Sequence, residues 1–224
     1  MLFENSQDNW EINLPDNLKT LGLKISGGAD SAIVCYMVAK YVTEERPDIT
    51  IHPITAVAST KPFQQIFADK VLRKVESLTG ITFATHQYRT IDSTTVEKYI
   101  SEQAELVDDV YASQGIQRHF SGLTANPTAE DAPLLYDGKH ALPGSYGPDD
   151  TDRSKGSEKK DNTFRPLINV DKRGVAEHYI RLGVLEDIFP LTRSCEENNV
   201  YTFEKHCEDC WFCRERQWGF DRLI

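Results

Sequence analysis

The residues most able to do chemistry lie in one run, Ser26-Gly27-Gly28-Ala29-Asp30-Ser31. Adjacent glycines permit a tight backbone turn with no side chain in the way. Such a turn exposes successive backbone N–H groups, and a helix starting behind it adds its positive end. Together they form a cradle for phosphate. Ser26 and Ser31 can add hydroxyl donors. Asp30 would repel phosphate directly, so its natural role is to hold a bridging Mg²⁺. The common ATPase P-loop requires Lys and then Ser/Thr after its last glycine, whereas Ala29-Asp30 follow here. A dinucleotide fingerprint is excluded because the third glycine is missing. The alternative is a glycine-rich turn that binds nothing.

The second constellation is Cys195, Cys207, Cys210 and Cys213, a C-x11-C-x2-C-x2-C array. The two-residue spacing lets thiolates from one turn meet the same ion. Four thiolates complete a closed tetrahedral shell, which suits a structural Zn²⁺ that staples a segment with little core of its own. An iron–sulfur cluster would accept the same ligand set, and a third reading keeps two cysteines free for persulfide chemistry. Cys35 falls in an apolar helical run and reads as core. His206 adjoins Cys207 and could replace a ligand, although four cysteines suffice.

These groups need elements to position them. Leu21–Ile25 reads as a strand that runs into the glycine turn. Ala32–Val42 reads as a helix apolar nearly all round, hence buried on more than one side. Ile51–Val57 is a second strand. Pro62 suits a first helical position, apolar residues then recur at helical spacing to Leu78, and Gly80 stops the helix. Ile81–His86 is expected as a third strand, Val96–Tyr111 as a third helix and His119–Leu123 as a fourth strand. Strands alternating with helices predict an α/β fold, a doubly wound parallel sheet with right-handed crossovers. Ligands on such sheets bind at the carboxyl ends of strands, where the glycine turn falls. Residues 1–20 are expected as a peripheral arm or short helix, 21–190 as the nucleotide domain and 191–224 as the metal segment. Residues 137–163 lack apolar periodicity and suggest a lid or a flexible insertion. Order returns at Phe164–Ile168, and a helix is expected from about Asp171 to Leu182.

Bulk properties narrow the function classes. The chain has 224 residues, 39% apolar and 27% charged, which is ordinary for a globular protein. No run is long enough to span a membrane, and Met1–Ser6 shows no signal peptide, so a cytoplasmic location is expected. The net charge of -10 favours a small-molecule substrate over a nucleic acid, which would call for a basic face. The Lys-rich stretch at 155–160 is interleaved with acid and reads as a solvated loop.

The phosphate loop resembles the Ser-Gly-Gly-x-Asp-Ser loop of the N-type ATP pyrophosphatases, the PP-loop superfamily, in which ATP is split to AMP and pyrophosphate. Together with the cysteines, the chain resembles the 7-cyano-7-deazaguanine synthase family from Leu23 to Phe220. Pro166-Leu167 with Lys172, Gly122 after the fourth strand, Thr192-Arg193-Ser194-Cys195, and Cys207-x-x-Cys210-x-x-Cys213-Arg214-x-Arg216-x-x-Gly219-Phe220 carry the likeness. The resemblance implies an ATP-dependent carbon–nitrogen ligase of queuosine-type deazapurine synthesis. A deazapurine carboxylic acid would be adenylated, ammonia would displace AMP, and a second activation would dehydrate the amide to a nitrile. It implies that Ser26, Gly27, Gly28, Asp30 and Ser31 bind ATP with Mg²⁺. Asp30 and Lys172 are the candidate catalytic residues, with Arg193 a further candidate for neutralising charge. Zn²⁺ would be structural, on Cys195, Cys207, Cys210 and Cys213. A homodimer is allowed, and neither a nucleic-acid nor a membrane partner is expected. Three features of the family are absent. Ala58-Ser59-Thr60-Lys61 stands where it has Asp-Tyr-Gly-Gln, no Arg-Asn pair opens the third helix, and acid after Gly122 is delayed to Glu130-Asp131. A tRNA sulfurtransferase on the same fold, or a binding module that kept the loop without the chemistry, are the competing readings.

Overall fold

The computed structural model describes residues 1–128, 130–131, 135, 162–195, 203 and 205–222. The expected lid at 137–163 therefore lies outside the described residues save for Asn162 and Thr163, as does the Lys155–Lys160 loop. The fold is α/β. Five parallel strands form the sheet in the order β5-β4-β3-β6-β7: β3 (Thr20–Lys24), β4 (Thr50–Ala58), β5 (Gln87–Ile91), β6 (Arg118–Phe120) and β7 (Thr163–Phe164). Helices α1 (Ala29–Glu45) and α2 (Phe63–Thr79) pack together. Helix α3 (Val96–Gln114) returns the chain from β5 to β6 in the opposite direction across the sheet. Right-handed crossovers therefore put α3 on the other face.

Local chemistry sets these elements. Gly80 and Gly115 end α2 and α3 at positive φ, 76° and 63°, where a glycine carries no Cβ penalty. Thr95 caps α3 by accepting from Lys98 N. Helix α1 buries residues around most of its circumference, among them Ile33, Val34, Met37 and Val38, because α2 and the sheet both cover it.

The structure departs from the sequence reading at three places. The third strand lies at Gln87–Ile91, and residues 81–86 run as coil. The cause is Pro53. Ile54 O accepts from Ile25 N on the β3 side, and Ile51 O accepts from Ala84 N on the β5 side. Alternation places the missing Pro53 donor on the β5 side. The ladder cannot form opposite it and begins at the Ile54–Gln87 pair. Residues 1–20 hold no helix. They form an antiparallel hairpin of β1 (Leu2–Glu4) and β2 (Asn9–Glu11), with Phe3 stacked on Trp10 at 5.5 Å. Trp10 meets Phe120 edge-on, so the hairpin belongs to the main core. Beyond the expected four strands, β7 adds a fifth, pairing Phe164 with Phe120.

Among the described residues, helix α4 (Lys172–Arg181), the short α5 (Leu185–Ile188) with a 3-10 turn at Phe189–Leu191, and α6 (Trp211–Phe220) follow. Phe220 stacks on Phe189 at 4.0 Å and packs edge-on against Tyr179. The C-terminal helix is thereby anchored in the same hydrophobic core as the sheet. Among the described residues no helix is long and apolar enough to cross a membrane.

Candidate functional site

Strand β3 lies between β4 and β6, which extend the sheet in opposite directions. The turn after β3 therefore sits at the topological switch point, where a crevice opens at the carboxyl edge of the sheet. Gly27 makes the turn at φ 78°. It also permits close packing: a Cβ there would stand 2.5 Å from Phe67 Cβ and 2.7 Å from Ala68 N. On the other side, a Cβ on Gly122 would stand 2.6 Å from Ser31 N. The turn is thus clamped between α2 and the segment after β6.

Its internal hydrogen bonds leave donors to spare. Ser31 Oγ lies 3.2 Å from both Ser26 N and Ser26 Oγ, and 3.1 Å from Gly28 O. Gly27 O accepts from Arg193 N, and Ala29 O accepts from the buried Tyr179 hydroxyl at 2.7 Å. Gly28 N makes only a long contact with Ser26 Oγ, 3.4 Å. Among the described residues no group accepts from the amides of Gly27, Ala29 or Asp30. The carbonyls are tied back into the protein while amides at the start of α1 stay available, which is the electrostatic arrangement for an anion.

Next to the turn lies a buried charge cluster. Lys172 Nζ donates to Asp30 Oδ2 at 2.5 Å and stands 3.6 Å from Glu215 Oε2. Lys172 is the first residue of α4, whose N-cap Asp171 accepts from Arg173 N and Gly174 N. Asp171 is itself gripped by Gln7, which donates to its carboxylate and accepts from its amide. Gly219 of α6 lies so close that a Cβ would fall 2.4 Å from Lys172 Cβ. Burial pulls the Lys172 ammonium down, but Asp30 and Glu215 together outweigh it and hold it above its ordinary value. Burial raises the Glu215 carboxyl, and Lys172 opposes that only in part. Asp30 Oδ1 is buried with no hydrogen-bond partner. A carboxylate oxygen orphaned beside unengaged amides fits Mg²⁺ ligation by Asp30.

Two clefts meet at the turn, and Ser26, Gly28 and Asp30 line both. One, of about 600 Å³, continues past Lys172 and Glu215 to Cys195. The other, of about 710 Å³, runs between the sheet and α3.

The four cysteines come together, with sulfur atoms all within 4.8 Å of one another. Cys195, Cys210 and Cys213 are buried and Cys207 is exposed. Two backbone donors already point at sulfur, Cys207 N to Cys195 and Cys210 N to Cys207. Sharing of hydrogen bonds, first with Cys195 and then with Cys210, holds the Cys213 thiol well above its ordinary value. This cluster could bind a metal ion, which would release those protons and leave thiolates.

Of the residues singled out in the sequence, Ser26, Gly27, Gly28, Asp30, Ser31 and Lys172 meet at one point, and the cysteines gather beside it. Arg193 lines the same cleft as Lys172, and its backbone N–H holds Gly27 O. Its guanidinium donates to the carbonyls of Phe203 and Lys205 and lies over the Phe63 ring, bracing the cysteine loop against α2. One charge escaped the sequence reading: Glu215, which faces Lys172. Arg216, named there only as part of the cysteine motif, is fully buried and donates to Thr192 Oγ1, Ser194 Oγ and Phe189 O. The signal was spacing: Glu215 stands four residues after Trp211 and Arg216 four before Phe220, on helix faces that are otherwise buried.

The fold and site define a class. It is an α/β protein whose glycine turn, at the switch point of a parallel sheet, presents free amides and a buried lysine, with a four-cysteine cluster alongside. No known family matches the sequence, and no curated protein matches it. Among solved structures, the U34-tRNA thiolase NcsA from Methanococcus maripaludis, with its [4Fe-4S] cluster, is similar at a TM-score of 0.43 and 13% identity. That match covers 75% of this chain and 57% of the neighbour, so the chain spans little more than half of that protein's length.

Proposed function

We propose that the chain is an ATP-dependent carbon–nitrogen ligase that adenylates a deazapurine carboxylic acid, 7-carboxy-7-deazaguanine or a related acid, for attack by ammonia. The observation that carries this reading is the turn at residues 26–31. Its unengaged amides, the orphaned Asp30 oxygen and the Lys172 ammonium converge at the carboxyl edge of the sheet.

The amides of Gly27, Ala29 and Asp30, with the Ser26 and Ser31 hydroxyls, hold the terminal phosphates of ATP. Asp30 holds Mg²⁺, which supplies neutralisation of the triphosphate charge when bound. A carboxylate is a poor electrophile because its oxygens leave badly. One carboxylate oxygen therefore attacks the α-phosphorus and pyrophosphate departs with the bonding pair. Lys172 places a fixed positive charge where negative charge grows on that leaving group. Preorganised groups of this kind are worth on the order of 10²–10³ in kcat. Ammonia then adds to the acyl carbon, AMP leaves, and loss of a proton gives the amide. Repeating the activation on the amide oxygen, with pyrophosphate and then AMP leaving and both amide N–H protons lost, gives the nitrile.

Zn²⁺ is the ion proposed for Cys195, Cys207, Cys210 and Cys213, in a structural role, since four sulfurs leave no open position for substrate. A colourless protein with one zinc per chain is expected; a brown one containing iron would move the site to the cluster reading. The deciding experiment combines ATP–pyrophosphate exchange with product analysis, using ATP, ammonium and 7-carboxy-7-deazaguanine. AMP with amide or nitrile is expected. No exchange with any candidate acid, in metal-replete protein, would leave a binding module.

A further inference from the structure

The cleft between the sheet and α3 contains a charge that the phosphate site does not use. Side chains alternate along β3. Leu21 and Leu23 belong to the main core, while Gly22 and Lys24 face the α3 side, where a Cβ on Gly22 would meet Ile116 and His119. Lys24 thus projects from a central strand into a cleft walled by Ile54, Leu106 and Val107. A lysine there is costly. Burial lowers its basicity, Arg165 adds to the effect, and Asp108 opposes it only in part.

The groups around it keep the charge unneutralised. Lys24 Nζ donates to Gln103 Oε1 at 3.4 Å, and Gln103 Nε2 donates to Tyr99 at 3.1 Å. The Tyr99 contact turns the amide so that its oxygen faces the ammonium. A neutral acceptor holds a cation in place without cancelling it. Among the described residues no carboxylate lies within ion-pair distance of Lys24 or of Arg165. The phosphate side of the turn already has its own lysine in Lys172. A second cation, reached past Ser26 in the cleft between the sheet and α3, therefore faces a different anion.

We propose that Lys24 recognises the carboxylate of a flat aromatic acid lying between α3 and the sheet. The proposal rests on the adenylating reading above and says where the acid binds. The slot sets apolar walls (Ile54, Leu106, Val107) against polar groups (Tyr99, Gln103, Ser121) that could orient a ligand, and it opens onto the turn where the α-phosphorus would lie.

The test is direct titration of wild type, Lys24→Met and Lys24→Arg with three probes: 7-carboxy-7-deazaguanine, 7-deazaguanine without the carboxylate, and a non-hydrolysable ATP analogue with Mg²⁺. Melting curves establish that each variant is folded. Loss of one charge-assisted contact predicts acid binding weaker by on the order of 10- to 100-fold in Lys24→Met. Lys24→Arg should recover much of it, and binding of 7-deazaguanine and the ATP analogue should be unchanged. Equal acid affinity in Lys24→Met and wild type overturns the proposal, as does absence of acid binding in wild type. Weaker binding of the ATP analogue alone also overturns it and assigns the lysine to the nucleotide. Pyrophosphate exchange is measured in parallel. Charge-dependent acid binding without exchange would leave this site standing and sink the ligase reading.

Discussion

Replacing Lys172 with Met tests the electrostatics of the site quantitatively. The side chain of Lys172 is only 9% exposed, and it serves two carboxylates of unequal burial: Asp30 at 23% and Glu215 at 7%. Without the ammonium, Asp30 can take up water, but Glu215 cannot. Breaking a buried pair by removing one partner costs about 3–5 kcal/mol if the stranded charge persists. Glu215 has a cheaper escape, which is to bind a proton. Protonation costs about 1.36 kcal/mol for each pH unit above the ordinary value of 4.5, hence about 3.4 kcal/mol at pH 7 and about 1.4 at pH 5.5. Those figures are ceilings on the Glu215 contribution. The folded-state pKa of Glu215 is raised, so the folded state binds the extra proton, and stability falls as pH rises from 4.5 toward that raised value. Lys172→Met raises it further and should therefore lose up to about 2 kcal/mol between pH 5.5 and pH 7 beyond what wild type loses. Glu215→Gln removes the stranded charge while Lys172 keeps Asp30, and should cost about 1 kcal/mol with little dependence on pH. Urea unfolding of both variants at pH 5.5 and 7 reads these differences. If the two variants were equally destabilised, or the loss in Lys172→Met did not vary with pH, the reasoning about Glu215 would be wrong.

Two further outcomes follow from the packing. Gly122→Ala sets a Cβ against backbone on Ser31 and Asp30, where no side chain can swing aside. It should cost about 1–3 kcal/mol by overpacking and weaken ATP binding more than an alanine at the open Gly115, measured by melting and by nucleotide titration. Stripping the metal, or Cys213→Ser, should lower the melting temperature and also weaken ATP binding. Loss of stability with unchanged nucleotide affinity would show that the cluster and the turn are independent.

Local signals carried most of what was legible in the sequence. The glycine turn, the helices ending at Gly80 and Gly115 and the cysteine spacing each depend on neighbours in the chain, and sequence reading sees those. The third strand was misplaced because Ile81–His86 has the composition of a strand, while its exclusion depends on a proline nearly thirty residues earlier. Strand β7 has two residues, too few for any periodicity, and exists because Phe120 and Phe164 stack at 4.9 Å. The N-terminal segment looked peripheral because its apolar residues are sparse. Its hairpin is set by Asn5, whose side chain accepts from Gln7 N and Asp8 N, and this in turn delivers Gln7 to Asp171. Glu215 was missed because an acid in a charged, cysteine-rich segment looks solvated until α6 is seen packed against α4.

That packing makes the metal segment part of the site. Cys213, Glu215 and Arg216 lie within one turn of α6, so an ion held by Cys213 fixes the helix that presents the other two. Arg216 carries the constraint inward. Burial brings it down to about 10, so it stays cationic at neutral pH, and its bonds reach Phe189, Thr192 and Ser194 together. Thr192 and Ser194 flank Arg193, whose backbone N–H holds the carbonyl of Gly27. An unbroken path of short contacts thus runs from the cysteines through Arg216 to the glycine turn, and a parallel one runs through Glu215 to Lys172 and Asp30. A closed metal site has no coordination position to offer a substrate. An ion held there would fix the cysteine end of both paths, and through them the geometry of the glycine turn and of the Lys172–Asp30 pair.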